Sequence, residues 1–332
     1  MKATSKANAN IALTKYWGKR DKKLMLPQNG STSMTLSGLH TITTVEFDKK
    51  YDKDSFILDE KELEEGTGEY DKVKKHLDLI REKAGITENA RVESKNNFPT
   101  AAGLASSASG FAALSVAAAK AAGLEMNPQE LSILSRRGSG SATRSILGGF
   151  VEWTKGEKDD GSDSIAQQIA LAEDWPEFRM ITTIVSTAEK KVKSRAGMAK
   201  TIENCPYYKD WLATVNEDIE NVKTGIKEKN FTLVGETAQY NCLKMHATMI
   251  TTRPTMIYWM PATVAIMHAI LAWKEEGLEA YFTMDAGPQV KVICLEKDVP
   301  ELEKRLQKIE GVQKTVVCKP GEEAKLIEEH LF

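Results

Sequence analysis

Short runs of alternating apolar and polar residues, separated by turns, dominate the first hundred positions. Positions 41–47 (TITTVEF) and 91–95 (RVESK) read as strands, while positions 71–84 carry apolar residues at helical spacing. A first long helix is expected to start at Ser106 or Ser107, run through FAALSVAAAKAA and stop at Gly123, a residue suited to the left-handed cap. Its alanine content suits close packing on neighbouring elements. Asn127 as cap, Pro128 in the first turn and Glu130 three residues after the cap predict another helix, ending near Gly138. Strands are expected at 145–154 and 179–186, flanking an acidic, glycine-containing surface loop at 157–163. Beyond about residue 187 the pattern changes to long helices at 207–227, 231–249 and 262–276, then strands at 279–284 and 289–295. A helix at 300–309, a strand at 315–318 and a closing helix at 322–331 complete the expectation. The class is α+β, divided into residues 1–186 and 187–332, with no internal repeat.

A chain of 332 residues exceeds what one core usually supports, in keeping with that division. Hydrophobic residues at 41% and charged residues at 28% exclude a disordered or fibrous chain. With 45 basic and 47 acidic residues, no basic field advertises nucleic acid or an anionic membrane, so an anion has to be held by local geometry. Cys205, Cys242, Cys294 and Cys318 form no CxxC pair, which argues against a zinc ribbon or a disulfide scaffold. The amino-terminal segment has too short an apolar run for a signal peptide, and no stretch approaches the ~20 apolar residues of a membrane span. A cytoplasmic location is expected. Among the five histidines none has metal-ligand spacing, and His246 in MHAT is the one candidate for a cleft.

Chemistry concentrates in four places. PTAAGLASSASG (99–110) combines small residues, hydroxyls and a following helix amino terminus, which suits a phosphate, although small residues opening a buried helix also serve packing alone. It is neither a Walker loop nor a GxGxxG fingerprint. GSGSATR (138–144) is a second loop of donors, ending in a guanidinium suited to bidentate phosphate binding, or a flexible turn. KYWGKR (15–20) sets cations and aromatics at a strand end, where a solvated surface is the alternative. MDAGP (284–288) places one carboxylate among apolar and turn residues, as a tuned base or an Asx turn between strands.

In their order and spacing, ANANIALTKYWGKRDKKLMLP, ESKNNFPTAAGLASSASGFAAL, RRGSGSATRSILGGFVEW and FTMDAGP resemble the signature segments of the diphosphomevalonate decarboxylases, a family of the GHMP kinase superfamily. Weaker likenesses in DGSDSIAQQIA, KSRAGM and MHAT extend over nearly the whole chain. The resemblance implies a GHMP fold: an amino-terminal ribosomal-S5-like domain with a left-handed βαβ crossover, a ferredoxin-like carboxy-terminal domain, and the active site between them. It implies conversion of mevalonate 5-diphosphate and ATP to isopentenyl diphosphate, ADP, phosphate and carbon dioxide, with Mg2+, in a homodimer.

By motif, the resemblance implies that Asp285 orients, and can deprotonate, the 3-hydroxyl and that Lys19 pairs with it and with substrate oxygens. The ATP phosphates fall to Ala102, Gly103, Leu104, Ala105, Ser106, Ser107 and Ala108, with Ser106 and Ser107 nearest the transferred group and Ser107 the candidate for magnesium. Ser94, Asn96 and Asn97 fall near the nucleoside. Tyr16, Ser139, Ser141, Arg144, Ser194 and Arg195 match positions that grip the substrate's carboxylate or phosphates, supported by Asn10. Departures exist: Asn29-Gly30-Ser31, Gln289 and Asn241-Cys242-Leu243 stand where relatives commonly read NSS, an asparagine and a DSN-containing segment. MKAT and VEF resemble archaeal relatives, some of which act on mevalonate 5-phosphate, so a monophosphate decarboxylase is the alternative. A mevalonate kinase or a non-catalytic nucleotide sensor fits the filled positions less well.

Overall fold

The computed structural model describes residues 1–98, 106–188 and 192–332. Its first sheet is built on two long antiparallel strands, β1 (Lys2–Thr14) and β4 (Ser31–Phe47), with a small hairpin, β2 (Lys19–Asp21) and β3 (Leu26–Pro27), between them. Next come β5 (Ser55–Leu58), β6 (Lys61–Glu62), α1 (Gly68–Ala84) and β7 (Ala90–Asn96); β5 and β7 are parallel neighbours joined across α1. Two helices follow, α2 (Ser106–Ala121) and α3 (Pro128–Gly138), then a 3-10 turn over Gly140–Ile146 and the strands β8 (Phe150–Trp153) and β9 (Ala166–Ala170). β4 pairs with β7 through its carboxy-terminal half and with β8 through its amino-terminal end. β1 is buried along nearly its whole length because α2 packs against it on one side and the helices of the second half pack on the other, so KATSKANANIALT does not alternate cleanly.

The remainder runs through β10 (Phe178–Ile184), α4 (Ser194–Asn204), α5 (Tyr208–Glu228), α6 (Phe231–Thr251), α7 (Pro261–Glu275), β11 (Tyr281–Thr283), β12 (Lys291–Leu295), α8 (Val299–Leu306), β13 (Lys314–Cys318) and β14 (Lys325–Ile327). The second sheet is antiparallel in the order β11-β12-β10-β13. β10, expected ahead of residue 187, is an inner strand of this sheet, whereas β14, from the far end of the chain, pairs with β1 in the first. One hydrophobic core joins the halves: Ile11, Leu13, Met34 and Phe150 pack with Phe178, Val222, Phe231 and Tyr281. The α+β class and its GHMP-type architecture stand.

Two expected elements are corrected. The closing helix at 322–331 is the strand β14 with an extended tail, since the free edge of β1 offers a ladder, with Thr4 opposite Ile327 and Lys6 opposite Lys325. The tail is fixed further by Leu331 N–H on Thr44 Oγ1 at 2.9 Å and by His330 Nδ1 against Thr4 Oγ1 at 2.6 Å. Tertiary pairing thus overrides a run of good helix formers. The strand expected over 145–154 shrinks to Phe150–Trp153, because Gly149 turns at φ +63° and the backbone at 321–323 approaches Gly148 closely. α4 was not anticipated as a helix.

Candidate active site

The candidate loops converge on one cleft of ≈ 370 Å3 between the halves. From the first half it receives Asn10, Tyr16 and Lys19 at the end of β1, Ser106 and Ser107 at the start of α2, and Ser139, Ser141 and Arg144 after α3; from the second, Ser194, Arg195 and Asp285. A second cavity of ≈ 180 Å3 adjoins it, sharing Glu69, Lys72, Ser106, Ser107 and Phe111 and reaching Ser94 and Asn96 on β7. Asn97 stands outside both cavities; its side chain instead caps the end of the β4–β7 ladder, donating to Gly38 O at 2.7 Å and accepting from His40 N–H at 2.8 Å. Ala108 is fully buried within α2 and lines neither. Ala102, Gly103, Leu104 and Ala105 lie outside the described residues.

The expected pairing of Lys19 with Asp285 is corrected. The partner of Asp285 is Lys15, whose ammonium lies 3.0 Å from Asp285 Oδ1 and also donates to Ala12 O at 2.7 Å. Lys15 continues the alternation of Ala9, Ile11 and Leu13, all turned into the shared core, so its ammonium is delivered from beneath the cleft floor. Lys19, four residues on and the first residue of β2, also lines the cleft. That alternation was the signal available for Lys15, and the separation of 270 positions from Asp285 is why it went unread.

Burial would raise the Asp285 carboxyl, but Lys15, Lys291 and Arg144 outweigh it and hold the group down at about 2. Arg144 is itself buried, which lowers it to about 10; its Nε donates to Asn10 Oδ1 at 3.3 Å and Nη1 to Ser31 Oγ at 2.6 Å. Asn10 in turn donates to Ser145 Oγ at 2.7 Å and Ser141 O at 3.0 Å, so one asparagine braces both the arginine and the second loop. Burial, then the fields of Arg195, Lys22 and Lys72, bring Lys19 down to about 8. Among the described residues Lys19 has no carboxylate within ion-pair distance, and this crowd of cations around an open cleft suits an anion.

The two small-residue loops meet where Ser139 Oγ donates to Ser107 Oγ at 3.5 Å. α2 begins there, so its positive dipole end faces the boundary of the two cavities. Tyr16 packs edge-on against Trp153 at 4.7 Å, and its buried hydroxyl, its pKa raised by desolvation, has no protein partner among the described residues. His246, considered for the cleft, lies beneath it: fully buried, kept neutral by burial at about 3 and stacked on Trp259 at 5.3 Å. Sequence reading placed Lys15 in the KYWGKR cluster without a role of its own, and missed Glu69, Lys72, Met198 and Met245 as cleft residues. Among the described residues no three acidic, histidine or cysteine side chains cluster as a metal cage.

Residues 7–166 match the family described as the diphosphomevalonate decarboxylase-like N-terminal domain, and residues 180–329 match the mevalonate 5-diphosphate decarboxylase C-terminal domain. The diphosphomevalonate decarboxylase mvd1 of Aspergillus fumigatus is 40% identical over 90% of this chain and 78% of its own. A solved structure of the mevalonate diphosphate decarboxylase from Enterococcus faecalis superposes with a TM-score of 0.92 at 41% identity, covering 99% of both chains. A further structure, of MDDEF in complex with MVAPP, AMPPCP and magnesium, gives the same TM-score, identity and coverage.

Proposed function

The chain belongs to the diphosphomevalonate decarboxylase family, and from that premise we infer how its cleft carries out the ATP-dependent decarboxylation of mevalonate 5-diphosphate. The products are isopentenyl diphosphate, ADP, phosphate and carbon dioxide. The observation that carries the reading is that the half-exposed Asp285, paired with the buried Lys15, and the amino terminus of a 16-residue helix face the same cleft.

Arg144, Arg195 and Lys19 clamp the substrate's carboxylate and diphosphate, with Tyr16, Ser139 and Ser141 donating hydrogen bonds. ATP lies across the two cavities, its nucleoside towards Ser94 and Asn96 and its terminal phosphoryl at Ser106 and Ser107. Asp285, held ionised, accepts a hydrogen bond from the 3-hydroxyl and aims its oxygen at that phosphoryl. A carboxylate held near 2 is a poor base. It orients the hydroxyl and takes the proton only as the new P–O bond forms, which suits the loose transition state of phosphoryl transfer. Once phosphorylated, the tertiary oxygen leaves as phosphate. The C–C bond to the carboxylate then breaks, and its electron pair becomes the new double bond as carbon dioxide departs. The cations that grip the flanking anions leave the developing positive carbon facing Asp285 and apolar Met198 and Met245.

The donor set fits magnesium: hard oxygen ligands from Ser107 and the nucleotide phosphates suit an ion that takes few protein ligands. When bound, it would neutralise phosphate charge. The relatives do not favour the monophosphate alternative. Incubation with mevalonate 5-diphosphate is expected to release ADP and carbon dioxide in equal amounts, with kcat/KM higher on the diphosphate than on mevalonate 5-phosphate; ADP without carbon dioxide would overturn the reading. A homodimer in the cytoplasm remains our proposal, the dimer to be checked by light scattering. Among the described residues no helix is long and apolar enough to cross a membrane.

A further inference from the structure

Lys15 and Asp285 come from opposite ends of the chain and from segments attached to different sheets, yet one helix holds both. On α6 the fully buried Asn241 accepts the Lys15 backbone N–H at 2.8 Å and donates to the Asp218 carboxylate at 2.6 Å. The next residue, Cys242, also fully buried, accepts the Met284 N–H at 3.0 Å, and its thiol donates to Met284 O at 3.4 Å. The two anchored peptide groups are thus that of Lys15 itself and that of the residue preceding Asp285.

We propose that α6 sets the separation of the catalytic pair, with Asn241 the positioning residue for Lys15 and Cys242 that for Asp285; the inference rests on the reading of that pair given above. Adjacent helical residues keep Cα atoms about 3.8 Å apart, so the two anchors cannot drift independently. The orientation of Asn241 is also determined. Its NH2 faces a carboxylate and its carbonyl oxygen faces an N–H, so a flipped amide would lose both bonds. Asp218 is held in turn by Lys244 at 2.6 Å, and Lys244 by Thr214 at 2.8 Å, which extends the brace to α5. With the Lys15 ammonium tied back to Ala12 O, its remaining freedom points at Asp285. A merely satisfied core asparagine would affect folding alone. A positioning residue affects kcat, since misplacement by about 1 Å can cost about a hundredfold.

The test exchanges the polarity of the brace. Asn241→Asp sets a carboxylate against Asp218 and is expected to lower kcat by about a hundredfold while KM for both substrates stays within about threefold. Adding Asp218→Asn lets the new carboxylate accept from both Lys15 N–H and the new amide, and is expected to restore kcat to within about tenfold of the parent. Absence of that recovery in a double variant with parental thermal stability, or a loss confined to KM, would overturn the inference. If Asn241→Asp does not fold, Cys242→Ala tests the other anchor by leaving the Met284 N–H without its acceptor: a fall in kcat at constant KM supports the inference, and an unchanged kcat overturns it. Asp285→Asn separates the two levels. If it remains active, the reading of the pair itself fails; if it is inactive while the brace variants keep kcat, this inference alone fails.

Discussion

Asp285 is held so low by Lys15, Lys291 and Arg144 that it stays ionised at any pH at which the protein is assayed, so it cannot produce a titration near neutrality. Lys19 can. Its folded value of about 8 lies below the ordinary 10.5 because burial and the nearby Arg195, Lys22 and Lys72 disfavour its charge. Below about 8 the ammonium is charged and attracts the substrate's anionic groups; above it that attraction fades. We expect kcat/KM, which reports the free enzyme, to fall as pH rises through about 8, and Lys19→Arg to remove that limb, because a guanidinium keeps its proton. A limb that persists in Lys19→Arg would assign the titration to another group. Asp285, Arg144 and the serines of both loops were legible in the sequence through the order and spacing of the motifs that carry them, since Asp and Ser among small residues are otherwise ordinary turn chemistry. The role of Lys15 was not: motif likeness drew attention to Lys19, and only the fold brings Lys15 to 3.0 Å from a carboxylate 270 positions away.

At the level of elements, local chemistry was read most faithfully where it is self-contained. Asn127 and Glu130 close a capping box at 3.0 and 2.9 Å, and α2 gives way to the left-handed Gly123 at φ +77°, so the ends of α2 and α3 follow from a few adjacent residues. The tail from 322 onwards contains equally good helix formers, but its structure is decided by the β1 edge some 320 positions away, which no local pattern reports. The junction of α3 with the second loop carries a testable constraint. Gly138 packs against the ring of Phe111, which lines both cavities, and a Cβ there would overlap that ring. Gly138→Ala is therefore expected to push Phe111 towards the nucleotide cavity, raising KM for ATP and destabilising the protein by about 1–3 kcal/mol, as overpacking does. An unchanged KM for ATP, alongside lower stability in urea, would show that the ring relaxes away from the cavity instead.

For the whole molecule, the change of pattern near residue 187 was legible, but not that the two halves share a core in which Ile11 and Phe150 pack with Phe178 and Tyr281. That sharing predicts one cooperative unfolding transition rather than two, and the buried histidines determine its acid limit. His76, hydrogen-bonded to Ser115 Oγ at 2.8 Å between α1 and α2, and His246, beneath Asp285, are both kept neutral by burial at about 3 against an ordinary 6.5. As pH falls from 6.5 towards 3 the unfolded chain binds a proton at each while the folded chain does not, so stability declines on acidification by up to about 1.4 kcal/mol per pH unit for each histidine. Asp285 contributes in the same direction only lower down, between its unfolded value near 3.8 and its folded value of about 2. The urea midpoint is therefore expected to fall between pH 6.5 and 4 in a single transition. His76→Gln, whose amide can take the place of Nε2 beside Ser115 but cannot take up the proton, should reduce that slope, the remainder belonging to His246 and the partly buried His40. An undiminished slope in His76→Gln would mean that His76 becomes protonated within the folded protein, which requires water to reach the helix interface beside Phe111.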